Sequence, residues 1–461
     1  MRQSDKISAY LEIVRQQIRW KKAQPIVLEE IENHIIDQKD AFMRDGLNEE
    51  EATARALAEM GDPVVVGEQL DRTHRPKPDY SLLALTSLLV FLGLMVQFSI
   101  SSNIFLAKWM FERQIVWSVI AVAVMFIAYF ADFTIIGRYH KIIFSLLSLL
   151  VFVCYLFTGE VHGRSVKMVY LLLLFPTFFA GFVYNMRNKG YGGLILCGLV
   201  LIIPAFLAEL APSAAILFLL CVSCLFILTA AVFKGWFNVN KKSALFTMYI
   251  PTVITLLSVF LFILMRDGYV SQRLQVILNP YLDPRGAGYV TIMIRRLLTN
   301  SRFIGQGLPI SGLEDYTVFQ LLPEVNTNYL LIYLIYRFGW ITFVGIITLL
   351  AAFIIRAVII CRKQKSVLGF LISLAIISTF AIQCIIYIAS NLGFMLFAPL
   401  SLPLISYGGG GLVINMALIG ILLSLSRTGY LVRDKMEVGF KKTSFIQYDN
   451  GRVIIDLKRT T

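Results

Sequence analysis

One stretch of this sequence holds a single acid between residues that fix backbone: Arg273-Leu274-Gln275-Val276-Ile277-Leu278-Asn279-Pro280-Tyr281-Leu282-Asp283-Pro284-Arg285-Gly286-Ala287-Gly288-Tyr289. Two prolines and two glycines place the carboxylate of Asp283 in a turn, beside apolar residues that keep it from being freely solvated. Two readings stand: a carboxylate held ready for chemistry, and an ordinary turn-forming aspartate. Arg273, Arg285, Arg295 and Arg296 are the nearby cations, able to hold phosphate or simply to face solvent. A second stretch, Leu402-Pro403-Leu404-Ile405-Ser406-Tyr407-Gly408-Gly409-Gly410-Gly411, is built for irregular main chain or close helix approach. Cys221 and Cys224 form a CxxC in the middle of an apolar run, where two small side chains filling gaps explain them better than a redox pair.

Most of the chain must serve to position these segments in a membrane. Of 461 residues, 57% are hydrophobic and 15% charged, and long, nearly charge-free apolar runs recur from Ser81 to Arg427. Such runs span hydrocarbon. We expect an all-α polytopic membrane protein of about ten transmembrane helices, at roughly 81–102, 113–132, 141–158, 168–185, 191–208, 212–233, 243–265, 326–355, 366–390 and 406–426. Basic residues cluster in alternate short loops (Arg138/Lys141, Arg187/Lys189, Lys234/Lys241/Lys242, Arg356/Arg362/Lys363/Lys365) and after the last span (Arg427/Arg433/Lys435). That bias predicts that those loops and both termini are cytoplasmic, and that the long 266–325 loop faces outward in a bacterial plasma membrane. The net charge of +13 is then explained by topology and anionic membrane lipids, with no nucleic acid needed. No cleaved secretory signal is expected, because the first eighty residues are polar.

Residues 1–79 read as a separate cytoplasmic helical domain, residues 80–430 as the transmembrane domain and residues 431–461 as a cytoplasmic tail. In the first, Ile31 and Ile35 recur at helical spacing and Gly46 offers a left-handed stop. Asn48 with Glu51 forms a capping-box pattern for a helix carrying Ala52, Ala56, Leu57 and Met60. That helix ends at Gly61-Asp62-Pro63. A last short helix precedes the linker Arg75-Pro76-Lys77-Pro78.

The glycine-rich stretch resembles the signature LPxxSYGGSS of the SEDS family (shape, elongation, division and sporulation; FtsW, RodA and SpoVE). Arg113-Gln114 with Trp117, Gln383, Asn391-Leu392-Gly393, Asn415-Met416 and Ile419-Gly420-Ile421 add to the resemblance. It implies polymerisation of glycan strands from lipid II, with Asp283 as the general base that takes the acceptor hydroxyl proton. Through it, Arg273, Arg285, Gly286, Gly288, Tyr289, Glu324, Ser406, Tyr407, Gly408 and Gly409 become expected substrate-binding residues. The departing diphosphate needs positive charge or a divalent cation such as Mg2+ or Mn2+, and the sequence names no metal ligands. The resemblance also implies a class B penicillin-binding protein as partner.

Departures from the family pattern keep open a non-catalytic scaffold or regulator of cell-wall synthesis; a lipid II translocase is a further alternative that rests only on the many spans. Asn328 stands where relatives carry the aspartate of LPExxTDF, and Tyr336-Arg337-Phe338-Gly339 replaces EELG. Ser165, Val166 and Lys167 replace an arginine–tryptophan pair after Gly159, Pro176-Thr177-Phe178 with Gly181 replaces PSExxK, and Ala211-Pro212-Ser213 replaces QPD. Ionisable groups inside a bilayer are costly and usually functional, so their loss bears on function.

The charge bias makes a direct prediction. With the six native thiols removed, single cysteines at Ser4, Ser311 and Ser444 are probed in intact cells with a membrane-impermeant maleimide. Only the Ser311 position should label before lysis. Labelling at Ser4 would place Asp283 on the cytoplasmic face and remove it from any chemistry on an exported lipid substrate.

Overall fold

The computed structural model describes residues 3–21, 23–75, 78–103, 108–157, 166–265, 269–429, 446–449 and 452–455. Pro76 and Lys77 of the linker, residues 159–165 and the basic positions Arg433 and Lys435 lie outside the described residues. The chain divides into two compact units, one formed mainly by residues 1–79 and the other mainly by residues 80–425.

The first unit is four helices: α1 (Gln3–Gln17), α2 (Gln24–Arg44), α3 (Glu49–Met60) and α4 (Pro63–His74). Tyr10, Val14 and Ile18 recur at one helical face and pack with Val27, Ile31, Ile35 and Ala56 into one core. Gly46 takes φ +96° after α2, as the sequence led us to expect. Asn48 Oδ1 accepts from Glu51 N at 2.8 Å and starts α3, while Asp62 Oδ1 accepts from Val64 N at 2.7 Å and starts α4. Asp71, buried, accepts from Arg19 N at 2.9 Å and ties α4 to the end of α1. The ion pairs Lys6–Glu50 and Lys39–Glu49 are exposed and add little.

The second unit runs α5 (Tyr80–Asn103), α6 (Lys108–Phe130), α7 (Thr134–Arg138), α8 (His140–Phe157), α9 (Val166–Leu172), α10 (Phe175–Met186), α11 (Gly190–Val200) and α12 (Ile202–Leu210). It continues with α13 (Ala214–Phe233), α14 (Lys241–Met265), α15 (Tyr269–Leu278), α16 (Tyr289–Thr299), the one-turn α17 (Val318–Leu321), α18 (Leu330–Phe338), α19 (Trp340–Arg362), α20 (Val367–Asn391) and α21 (Gly409–Thr428). Among the described residues, nine helical stretches are long and apolar enough to cross a membrane. The expected seventh span is α14, a helix of 25 residues. Beyond α21, residues Ile446–Asp449 and Arg452–Ile455 pair as an antiparallel hairpin, β1 with β2, with Ile446 opposite Ile455. Otherwise the regular structure among the described residues is helical. Burial is concentrated in α10, α20 and α21, followed by α13, whereas α5, α6 and α8 present apolar side chains outward.

Three expected spans differ in detail, and each difference has a local cause. The fourth and fifth are each two helices, broken where proline lacks the N–H for the carbonyl four residues back: α9 ends at Leu172, four before Pro176, and α11 ends at Val200, four before Pro204. The expected eighth span, 326–355, does not exist as one helix. Gly339, at φ +99°, separates α18 from α19, and residues 302–307 are laid against that break. Gly305 N and Gly307 N donate to Phe338 O and Tyr336 O at 3.0 and 2.7 Å, and Trp340 N and Ile341 N donate to Arg302 O and Phe303 O, both at 3.1 Å. A Cβ on Gly339 would lie 2.8 Å from Ile304 Cα, so the position accepts only glycine. The crossing helix is therefore Trp340–Arg362, and α18 belongs to the segment that precedes it.

Because the α3 cap is one hydrogen bond from an exposed side chain, Asn48→Ala should lower the stability of the N-terminal unit by about 1 kcal/mol, within the usual range for a lost N-cap. Chemical denaturation of residues 1–79 expressed alone, followed by circular dichroism, measures it. A change below a few tenths of that amount would show that the cap is not holding α3.

Candidate active site

The residues expected around the acid fall into two groups, each assembled by its own hydrogen bonds. In the first, α15 ends and Asn279 Oδ1 accepts from Tyr281 N at 3.2 Å, starting a single 3-10 turn, Pro280–Leu282. The chain then wraps around Asp283. Its Oδ1 accepts from Gly286 N at 3.0 Å and its Oδ2 from Ala287 N at 2.8 Å, while its main-chain carbonyl accepts from Gly288 N at 3.0 Å. Tyr289 N donates to Gly286 O at 3.1 Å and α16 begins. A Cβ on Gly286 would strike the Asp283 carboxylate, and one on Gly288 would strike the Pro280 carbonyl. Both glycines are thus needed for the close approach of the chain to the acid. The turn-forming role of Asp283 is met in full.

The same geometry leaves chemistry available. An ionised carboxylate offers about four lone-pair positions, and the two N–H groups fill one on each oxygen. Asp283 is half-buried, and Arg285 in the same turn is exposed, as are Arg273 on α15 and Arg295 and Arg296 on α16. Tyr289 is half-buried at the first turn of α16.

The second group joins Glu324 to the glycine-rich stretch. Glu324, at φ +49°, makes a tight turn in which its carbonyl accepts from Thr327 N at 3.1 Å and Asn328 N at 2.9 Å. Its carboxylate accepts from Asn328 Nδ2. An aspartate at position 328, as the family pattern led us to expect, would set carboxylate against carboxylate here. Three successive carbonyls are then bound from the membrane helices. Asn326 O accepts from Tyr407 N at 3.0 Å and from Gln97 Nε2 at 3.4 Å; Thr327 O accepts from Ser406 Oγ at 2.8 Å; Asn328 O accepts from Asn391 Nδ2 at 2.9 Å.

Ser406, Tyr407, Gly408 and Gly409 were expected to touch substrate, and the structure gives most of them another occupation. Ser406 is 5% exposed, and its hydroxyl is used twice, donating to Thr327 O and accepting from Leu402 N at 3.0 Å. Gly408 N donates to Gln114 Oε1 at 3.2 Å. A side chain at Gly409 would enter the Trp117 ring, one at Gly411 would lie 2.7 Å from the Tyr170 ring, and one at Gly410 would meet the same ring at 3.1 Å. Tyr407 is half-buried and held by its main chain.

Sequence reasoning missed Gln97, Tyr170 and Asn326. Gln97 is 3% exposed within an apolar helix, and an amide in such a run is the signal that could have found it, because it must have a partner there. Among the positions where charges are absent, Thr177 and Ser213 are buried, and a Cβ on Gly181 would collide with the Ile136 carbonyl. The close approach of α7 to α10 therefore occupies the space a charged side chain would need.

Comparison with known proteins adds the following. The sequence model of the cell cycle protein family FtsW/RodA/SpoVE matches residues 79–430. The chain is 32% identical over 168 residues to a probable peptidoglycan glycosyltransferase FtsW of Trichlorobacter lovleyi, covering 36% of this chain and 42% of that protein. It is 25% identical over 385 residues to stage V sporulation protein E of Bacillus subtilis, covering 77% of this chain and 98% of that protein. The similarity to peptidoglycan glycosyltransferase MrdB of Escherichia coli is 29% over 245 residues, covering 52% and 60%. The chain thus spans less than half the length of the first of these relatives. In fold it is similar to a chain from a structure described as structural coordination of polymerization and crosslinking by a peptidoglycan synthase complex, at TM-score 0.58 and 18% identity over 77% of this chain and 98% of that one. A crystal structure of a Thermus thermophilus rod shape determining protein RodA mutant aligns at TM-score 0.50 and 15% identity, over 77% and 99%.

The packing around the glycines predicts a graded response. Gly409→Ala forces the Trp117 ring to move and should lower stability by about 1–3 kcal/mol, the usual cost of overpacking, whereas Gly410→Ala should cost less. Thermal unfolding and the monodisperse yield in detergent give the order. Equal stability of both variants and the parent would mean that α21 does not pack on α6 and α9 in this way.

Proposed function

Because the chain belongs to the FtsW/RodA/SpoVE family of cell cycle proteins, we propose that it is a peptidoglycan glycosyltransferase that polymerises glycan strands from lipid II. The observation that carries this reading is the family match over residues 79–430, joined to relatives named as peptidoglycan glycosyltransferases. The Asp283 turn supplies the chemistry. Asp283 accepts the proton of the acceptor sugar's 4-hydroxyl as that oxygen bonds to the donor's anomeric carbon. The bond from that carbon to the diphosphate oxygen breaks, and undecaprenyl diphosphate leaves. Gly286 N and Ala287 N orient the carboxylate from behind, so its remaining lone pairs point away from the turn. Arg273 and Arg285 are the cations for the diphosphate charge.

The described residues form no all-protein cage for a divalent metal; a cation bridging the substrate's diphosphate would have Asp283 as its carboxylate ligand and would supply charge for the leaving group. No group of three His, Cys, Asp or Glu side chains comes together among the described residues, and Asp283 has both oxygens turned to main-chain N–H groups.

In this reading the N-terminal unit is a water-soluble cytoplasmic domain, both termini are cytoplasmic and the 266–339 segment faces the wall. The partner is a single-pass transpeptidase, a class B penicillin-binding protein. Its support is the fold shared with a chain of a peptidoglycan synthase complex described as coordinating polymerization and crosslinking. A scaffold role is the second reading, favoured by Asn328 neutralising the contact to Glu324 and by Gly181 closing space near α10.

Purified full-length protein with lipid II decides between them. Polymer should form with the parent and fall to background with Asp283→Asn, which removes the base and also replaces one acceptor of the turn with an amide donor. Gly286→Ala should do the same by displacing the carboxylate. Both changes lie in the outer segment, so melting in detergent should shift little. Parent-level polymer from Asp283→Asn would sink the assignment of the base; no polymer from the parent, with or without a transpeptidase partner, would favour the scaffold.

A further inference from the structure

The outer segment holds a cleft that the proposed reaction does not use. It has a volume of about 400 Å³ and lies between residues 306–321 and the faces of α16 and α18. Sites for small molecules start at about 300 Å³. Its walls are preformed. The strap 302–307 is pinned to the end of α18 by main-chain hydrogen bonds, Tyr336 Oη donates to Leu308 O at 2.9 Å, and Arg337 donates to Gln306 Oε1. On the far rim Thr317 and Gln320 cap α17 reciprocally.

The lining combines aromatic faces with hydrogen-bonding edges. Phe319 and Tyr333 stack at a tilt, 5.2 Å between centroids, and Tyr316 stands 57% exposed at the mouth. Glu314, Asp315 and Arg337 also line the cleft. Hydrogen bonds from its own main-chain N–H and from Gly312 N hold the Glu314 carboxyl below its ordinary value, so at neutral pH it is an acceptor only. Two acids against one base leave the rim negative, which repels phosphate and diphosphate. A sugar ring has the complementary chemistry: an apolar C–H face for an aromatic side chain and an edge of hydroxyls for acids, amides and guanidinium.

We propose that this cleft is a saccharide-binding subsite for the uncharged sugars of a glycan strand, separate from the Asp283 turn. The identity of the strand rests on the polymerase reading above; the preference for a neutral sugar rests on the cleft alone. During synthesis the subsite would hold strand already made while the next unit is joined.

The test uses the full chain in detergent and a soluble probe, the tetrasaccharide of N-acetylglucosamine, with binding followed by saturation-transfer NMR and calorimetry. The parent should bind it, inorganic diphosphate should not compete, and Tyr316→Ala should weaken binding by about tenfold, the upper end of what one aromatic contact contributes. Glu314→Gln should weaken it less while leaving Tm unchanged, since Glu314 is exposed. The lipid II assay on the same Tyr316→Ala protein should give shorter strands at an unchanged initial rate. Absence of tetrasaccharide binding by the parent, binding unaltered by Tyr316→Ala, or displacement by diphosphate each overturns the subsite. Binding by a parent that makes no polymer would support the subsite and defeat the polymerase reading, so the two fail separately.

Discussion

Main-chain groups brought to the surface of a helical bundle must find hydrogen-bond partners, and in this protein that demand falls on three carbonyls in a row, at Asn326, Thr327 and Asn328. They are met by Gln97 from α5, Tyr407 N and Ser406 Oγ from the approach to α21, and Asn391 from α20. The donors come from three different parts of the bundle. The turn at Glu324 bends the chain so that the carbonyls face inward, and Tyr387 and Asn391 then accept from Leu331 N and Ile332 N at 3.2 Å, extending the seam into α18. This seam fixes the end of the outer segment against α20 and the approach to α21.

The seam explains why the glycine-rich stretch is so constrained. To deliver Ser406 and Tyr407 N to Thr327 and Asn326, the chain before α21 takes a left-handed step at Leu404, φ +67°, and then passes close to other backbones. A Cβ on Gly93 would lie 2.9 Å from the carbonyls of Leu404 and Ile405, so α5 can approach only through glycine. Trp117 and Tyr170 press on the glycines from α6 and α9. Buried amides such as Gln114, tied to Gly408 N, complete the arrangement where an unpaired polar group would cost about 1–3 kcal/mol.

What was legible in the sequence follows from what each signal measures. Apolar runs report burial in hydrocarbon, so α5, α13 and α20 lie close to their expected bounds. They say nothing of main-chain continuity, which is why the expected span 326–355 hid the break at Gly339. The apolar residues of α18 are buried against protein, with Leu330 and Leu331 fully enclosed, and hydropathy cannot separate that from lipid. Asp283 was legible because proline and glycine have few uses other than to fix a turn. Ser406 and Gly409 were legible as special but not in role: a motif marks where the chain is constrained, and only the partners, Thr327 and Trp117, show that the constraint is packing.

In the proposed reaction the two groups of residues divide the work between rigidity and chemistry. The hydroxyl of Ser406 and the main-chain N–H of Tyr407 are committed to the seam, so neither of those two donors is spare for a lipid-linked sugar. Asp283 differs, because its partners are main-chain N–H groups of its own turn, leaving lone pairs on both oxygens. A base must keep that capacity while its orientation is fixed. Placing such a turn between α15 and α16, in a segment whose far end is fastened at Asn326, Thr327 and Asn328, holds the acid by short local contacts while the membrane helices bear the strain of anchoring. The replacement at Asn328 then touches the anchor and not the acid: its side-chain amide binds the Glu324 carboxylate beside the main-chain carbonyl that Asn391 holds, away from the hydrogen bonds of the Asp283 turn.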